Sequence, residues 1–428
     1  MNLRLAVALG VAGVVGVGSA FATFARIESM GKNTTYILDD VSIFDNPANI
    51  NLYPNYLIGE FGPYTDNVAV GENQDPKFPN FGGIFSLGLG SEESPDPRLS
   101  IGGLFGRRDT ELFRFLPTRF VSDWNGDIID LPDPVTNFDG FLGGTLSNGN
   151  AIGLHIYIAH QDGGDKTPGG SYQPSQNAYA SIIRADAGFN WQFGSDIDFD
   201  LAFGLARIQY GTEHKNFFDD GNFSYLGKAR AFFTLDAING ELIPAVSAHD
   251  IQAPGIRERH GQVGFGVNVA LDRGFFWLGL DFIWNKLKTY NTTYDYISGE
   301  SIYNEEYTSK IWDKRTDIGG QVSFGIERNI WYDWFVIRVG GKKSILYTEC
   351  DKSKRNAGMQ SVCFDDGTYF STNPLADGTA DDHIGFGFGI NIEEKLKIDV
   401  TVAEDLLFRN PFQGEGRFFS RISATYAF

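Results

Sequence analysis

Acid–base and metal chemistry in proteins runs mostly through histidine, cysteine and carboxylates at set spacings. This chain of 428 residues carries six histidines, His155, His160, His214, His249, His260 and His383, and they are scattered. His155 and His160 stand five apart in an alternating segment. They therefore project to opposite faces and cannot share a metal. The chain has no G-x-S-x-G, no H-E-x-x-H and no P-loop. No catalytic residue, metal or cofactor is expected. Cys350 and Cys363 lie in a polar segment. In an oxidising compartment they most simply form one disulfide, with two free thiols as the alternative.

The residues that do stand out are charges set at alternate positions within apolar segments. Arg184, Asp186, Lys228, Arg230, Asp281, Arg338, Lys342, Lys397, Asp399 and Arg421 all fall on the polar side of such an alternation. Two uses are open to them. They line a polar, selective water channel, or they hold an internal plug through salt bridges.

The elements that must position these charges are strands. In "HIGFGFGINIE" (383–393), Ile384, Phe386, Phe388, Ile390 and Ile392 share one face. In "FFWLGLDFIWNK" (275–286), Phe276, Leu278, Leu280, Phe282 and Trp284 do the same, with Asp281 opposite. Successive strand side chains alternate between faces, so this period of two marks β-structure. Sixteen such segments can be marked between residues 53 and 428; the weakest is 241–252, which contains Pro244. Long polar connections (107–136, 162–177, 289–308, 348–382) alternate with short ones such as "SNGN" at 147–150 and "DRG" at 272–274.

Sorting of long and short connections by parity is the mark of a closed antiparallel transmembrane β-barrel of the outer membrane. A soluble sandwich or propeller also alternates. Those folds do not sort their loops this way, and no propeller repeat is present. Charges on the lipid face of a barrel would cost about 2–4 kcal/mol near the midplane, which assigns the charged positions to the lumen. The chain closes on "RFFSRISATYAF". Tyr426 and the terminal Phe428 resemble the signal by which outer-membrane proteins reach the barrel assembly machinery.

The N-terminus reads as a signal peptide over residues 1–22, with Arg4, an apolar run and Ala20-Phe21-Ala22 as the cleavage site. A membrane anchor is the alternative. The net charge of −19 disfavours nucleic acid as a partner. Length alone would suggest two or three soluble domains. The 52 glycines and 37 phenylalanines point instead to many amphipathic strands.

Residues 23–52 precede the first strand and do not alternate. Pro47 stops any helix there, and Asn46 before it favours a turn. Arg26, Met30-Gly31, Asp39-Asp40 and Asn46-Pro47-Ala48 together resemble the opening of the long-chain fatty acid transporter (FadL-like) superfamily, including its type IX secretion relatives. The resemblance covers these residues directly. It implies that 23–52 forms a hatch that plugs a barrel spanning 53–428. A capped turn tying the chain to its first strand is the plainer reading. The family barrel has fourteen strands, so the expectation is 14–16.

The resemblance further implies passive uptake of small hydrophobic or amphipathic solutes. The alternatives are a structural or secretion-associated barrel handling an exported protein, and a general diffusion porin. Expected partners are outer-membrane lipid, the barrel assembly machinery, and a small solute or exported protein.

Overall fold

A computed structural model describes residues 23–62, 79–89, 98–116, 119–121, 128–132, 134, 136–146, 149–163, 178–194, 197–212, 215–216, 223–253, 256–290, 296–297, 300–301, 312–330, 332–351, 367–371, 382–393, 395–402 and 419–428. The signal-peptide reading of 1–22 and most of the long loops lie outside them.

Sixteen crossing strands form one antiparallel sheet. They are β1 (Tyr56–Phe61), β2 (Asn80–Gly88), β3 (Arg98–Phe105), β4 (Thr136–Thr145), β5 (Ala151–Asp162), β6 (Ala178–Phe193), β7 (Ile197–Thr212) and β8 (Ser224–Leu235). The second half holds β9 (Gly240–Ala253), β10 (Ile256–Leu271), β11 (Gly274–Tyr290), β12 (Trp312–Asn329), β13 (Phe335–Asp351), β14 (His383–Ile392), β15 (Leu396–Val402) and β16 (Phe419–Ala427). Each strand pairs with its chain neighbours, and Lys215–Asn216 and Gly367–Ser371 add short rungs. β1 pairs with β16 from Tyr56↔Ala427 to Phe61↔Ile422, which closes the ring. The Phe428 amide donates to the Asn55 carbonyl, and its ring packs on Phe85, so the terminal residue helps seal the seam.

Alternation decides which face is which. Along β5 the residues read buried, exposed, buried, exposed from Ala151 onward. Ile152, Leu154, Ile156 and Ile158 are exposed there, and so are Phe276's neighbours Leu278, Leu280, Phe282 and Trp284 on β11. A closed sheet with an apolar outer belt leaves no open edge and satisfies its backbone internally, which is what a membrane demands. The protein is an outer-membrane β-barrel. The long-connection side faces outward and the short-turn side faces the periplasm.

One local expectation holds and one changes. The segment around Pro244, the weakest of the marked strands, is a full strand, β9. Its pairing with β8 runs from Tyr225↔Asp250 to Arg230↔Ala245 and resumes at Phe233↔Leu242, skipping Pro244. A proline has no N–H for the ladder, and the interruption accommodates that. In the N-terminal segment, Pro47 starts a helical turn rather than stopping one. It stands at the first positions of a 3-10 helix over Pro47–Leu52, where a missing N–H costs nothing, and the Asn46 side chain caps it by accepting from the Ala48 amide.

Candidate functional site

The candidate site is the lumen, built in two tiers. The inner, periplasmic tier is occupied by residues 23–55. Here α1 (Phe24–Ser29) is followed by 3-10 turns over Asp40–Phe44 and Pro47–Leu52. An isolated six-residue helix is unstable in water, so this one depends on its surroundings. Ala25, Ile27, Met30, Tyr36, Ala48 and Ile50 are all buried. Met30, Tyr36 and Ile37 pack with Phe232 of β8, Ile243 of β9 and Trp277 of β11. Ile43 and Ile50 pack with Tyr56, Ile84 and Phe141 on the opposite wall.

Inward-facing glycines make the room. A Cβ on Gly153 or Gly188 would collide with Pro47 or Asn46, and one on Gly340 would collide with Met30. The Tyr36 ring lies in a slot between Gly266 and Gly279 in the same way. Its hydroxyl donates to Asp281.

The charges of this tier form a chain. Arg26 donates to Asp39 at 3.0 Å and to Glu327 at 2.6 Å. Arg338 binds Glu327 at 2.5 Å and Asp399 at 2.6 Å. Arg421 donates to Glu28 at 3.0 Å. On the other side Arg230 donates to Asp200 at 2.8 Å and to the Thr34 carbonyl at 2.9 Å, while Lys228 binds Asp45. Asn46 donates to Asn190 at 2.7 Å. The Asp39 side chain also accepts from the Asp40 amide at 2.6 Å. Lys342 is half-buried within electrostatic reach of Asp281.

Two carboxyls of the segment respond oppositely to this setting. Burial pushes Asp45 up, but Lys228 and Arg230 outweigh it and hold the group below the ordinary carboxylate range. Asp40 has no such cation. Burial and neighbouring Asp39 push it well above that range.

The outer tier differs. From β5 to β9 its wall is apolar, with Tyr157 and Ala159 of β5, Ile182 of β6, Ala206 and Ile208 of β7, Leu226 of β8 and Ile251 of β9; across the lumen it is polar, with Asn285, Arg315, Asp317 and Thr348 buried on β11–β13. Against the apolar side pack Leu112, Phe113 and Phe115 from the connection after β3, which folds into the barrel mouth around a one-turn helix, α2 (Thr110–Phe113). Asp109 caps α2, accepting from the Glu111 and Leu112 amides.

A ring of ion pairs separates the tiers and ties this connection to the wall. Arg184 bridges Asp109 at 3.0 Å and Asp186 at 2.9 Å. Arg107 donates to Asp139, and His155 sits between Asp139 at 2.9 Å and Asp186 at 2.7 Å. Arg114 pairs with Glu258, which also meets His249 at 2.8 Å; the other His249 nitrogen lies 3.3 Å from Glu111. Burial raises the Glu111 carboxyl, but His249 and Lys228 outweigh it and hold it well below the usual range. The Arg107 guanidinium stands 4.0 Å over the ring of Phe44, joining outer connection to inner segment. Between the tiers, beside β8–β10, a cavity of about 170 Å³ is lined by Lys228, Ser247, His249, His260 and Gln262 among others.

The structure thus brings Arg26, Asp39, Arg230, Arg338, Lys228 and Arg421 into networks with residues 23–55, and Arg184 and Asp186 into the ring above. Asp40 joins the inner network through its backbone amide, which donates to Asp39. Sequence reading missed His155, Asp139, Asp200, Glu258 and Glu327. Their inward parity was a usable signal: Glu327 follows Ser323 and Gly325 on the lumen side of β12. For His155 the spacing to His160 speaks only against a shared metal and says nothing of the carboxylates it meets. The apolar side of the outer tier is not evident in sequence either, because inward apolar residues read the same as lipid-facing ones. Cys350 is disulfide-bonded and 3.6 Å from the Tyr369 hydroxyl; Cys363 lies outside the described residues. Tyr426 is exposed on the outer face.

No protein-family model matches the chain, and no curated relative matches it. Among solved structures, CdiB from Escherichia coli is similar with a TM-score of 0.41 and 10% identity, over 88% of this chain and 63% of that one. The chain therefore spans less than two thirds of CdiB. The Pseudomonas putida toluene transporter TodX is similar with a TM-score of 0.33 and 9% identity, over 94% of this chain and 95% of that one. A bacterial polysaccharide outer membrane secretin scores 0.33 at 8% identity, over 87% and 97%. At these values the likeness concerns chain shape alone and assigns the protein to no family.

Proposed function

We propose that the protein is a passive outer-membrane channel for small hydrophobic or amphipathic solutes, with residues 23–52 acting as its internal plug. The observation that carries this reading is the apolar side of the outer tier. A general diffusion porin keeps a polar, water-filled lumen. Here Tyr157, Ile182, Ile208, Leu226 and Ile251 make one side of the mouth apolar and are buried beneath Leu112, Phe113 and Phe115 of the inward-folded connection. An apolar solute leaving water gains roughly 25 cal/mol for each Å² it buries on such a wall. The buried N-terminal segment below supports the plug, because ions meet protein rather than water there.

In this mechanism solute from outside displaces Leu112, Phe113 and Phe115 of the inward-folded connection and takes their place on the apolar wall. The ring of ion pairs and the Arg107–Phe44 contact couple the outer tier to the segment beneath. Passage needs local loosening of residues 23–55, which are held to the wall by both buried ion pairs and apolar contacts. No covalent step is involved.

The test is planar-bilayer conductance of refolded protein, with and without residues 23–52, alongside uptake of a small apolar fluorophore into liposomes. The expected result is a nearly silent full-length barrel that still admits the fluorophore, and a conducting truncated one. Free ion conduction by the full-length protein would make it a general porin. Failure to admit the fluorophore would sink the solute reading.

A further inference from the structure

The outer face of the barrel carries a basic patch that the channel reading does not use. On β10, β11 and β12, six outward positions form two cross-strand rows. Arg257 stands opposite Lys288, and Lys288 opposite Lys314. Arg259 stands opposite Lys286, and Lys286 opposite Thr316. Five of the six positions are cations, in a chain whose net charge is −19. Lys288 feels Lys286, Lys314, Arg259 and Arg257 together. Like charges directly opposed across strands are destabilising. Among the described residues the acids nearby stand at the margins: Asp250 of β9 meets Arg257 and Arg259, and Asp351 of β13 meets Lys314. Exposed Glu349 lies opposite Thr316 on the same margin.

Position supplies the second half of the argument. The outward residues of β11 run Phe276, Leu278, Leu280, Phe282 and Trp284 before reaching Lys286 and Lys288. A tilted strand crosses the hydrocarbon in about 9–11 residues. The two lysines therefore stand where the apolar belt ends on the long-connection side, next to an interfacial tryptophan. Val263 and Phe265 lie below Arg259 on β10, and Ile318 and Val322 below Thr316 on β12, all exposed on the lipid face. The patch is thus at headgroup depth in the outer leaflet, facing lipid rather than the lumen.

The geometry points to this patch as a docking surface for the phosphates of an outer-leaflet phosphorylated glycolipid of the lipopolysaccharide type. Guanidinium and ammonium groups in two adjacent rows give several charge-assisted bonds to phosphate oxygens. The acyl chains would lie along the apolar belt immediately below. A bound anion also removes the cost of opposing like charges, which gives the arrangement its physical sense.

The test uses full-length protein in a neutral detergent and fluorescent diphosphoryl lipid A, with its dephosphorylated form and inorganic phosphate as the other arms. Wild-type protein should bind the diphosphoryl form, more weakly as salt rises. The Lys286→Gln/Lys288→Gln variant should bind it at least about tenfold more weakly, from the usual contribution of a basic residue at an anionic surface. Arg259→Gln, checked for folding by heat-modifiable gel mobility as the double variant is, gives the same direction if the double variant misfolds. Equal binding of the dephosphorylated lipid, no loss in either folded variant, or full displacement by millimolar inorganic phosphate would each overturn the proposal.

Discussion

The two tiers of the lumen are made by the same strands and differ in what faces inward. β6 carries Ala178, Ala180 and Ile182 in its outer half, then Arg184, Asp186, Gly188 and Asn190 in its inner half. β8 changes from Leu226 to Lys228 and Arg230 in the same way. In the outer half of β5–β9 the wall is apolar. Where a chain segment is to be seated, it combines glycine, which lets backbone approach closely, with charges that give direction. A backbone segment brings many N–H and C=O groups that must be satisfied, and only a polar wall can do that. Thr401 donating to the Ala25 carbonyl at 2.6 Å and Arg230 donating to the Thr34 carbonyl at 2.9 Å show the inner wall in this role.

The sharpest way to break the comparison is to remove one charge from the inner tier. Arg26→Ala leaves Glu327 and Asp39 buried beside too little positive charge. Breaking a buried pair this way costs about 3–5 kcal/mol. The expected outcome is a segment that a protease reaches in folded barrels and a rise in ion conductance, with the strand ladder intact by circular dichroism.

In the outer tier the matching change is apolar. Leu112→Ala removes a fully buried anchor of the inward-folded connection. Such deletions cost about 2–5 kcal/mol in a rigid core, and the lower end applies where a loop can relax. Fluorophore uptake should change while conductance does not. An equal rise in conductance would mean that the tiers are not separable.

Gly340→Ala tests seating without touching charge. The added methyl meets the Met30 backbone, and overpacking of this kind costs about 1–3 kcal/mol. Conductance should rise less than in Arg26→Ala. A control at Gly59, where a Cβ meets nothing within 4 Å, should leave it unchanged.

The smallest effect is on pH. Asp45 is held below its ordinary range, so its contribution is present above the unfolded pKa and is lost as pH falls through the folded one. The Lys228 side chain is 39% exposed, which screens the pair and keeps the effect small. Retention of the segment should weaken on acidification below the usual carboxylate range, and Asp45→Asn should flatten that dependence. A profile that Asp45→Asn leaves unaltered would assign the change to other carboxyls.

Much of this molecule was readable from local pattern. The sixteen strands lie where period-two alternation marks them, to within a few residues. Membership of a strand and the face of each side chain follow from neighbours two positions away. The sidedness of the barrel follows from connection length, which is also local. Even the inward charges were available by parity.

What local pattern does not carry is which inward residues meet. Arg26 and Glu327 are separated by 301 positions, and they become neighbours only because β1 closes on β16 and brings the first residues into the ring. The same closure turns glycines that read as strand spacers into seats for Pro47, Met30 and Tyr36. It also gathers apolar residues from five strands into one outer wall that no single strand displays. Alternation is a property of each strand by itself, so the sequence alone determined the barrel. Pairings across the lumen depend on curvature, register and closure of the whole sheet, and only the tertiary structure decided them.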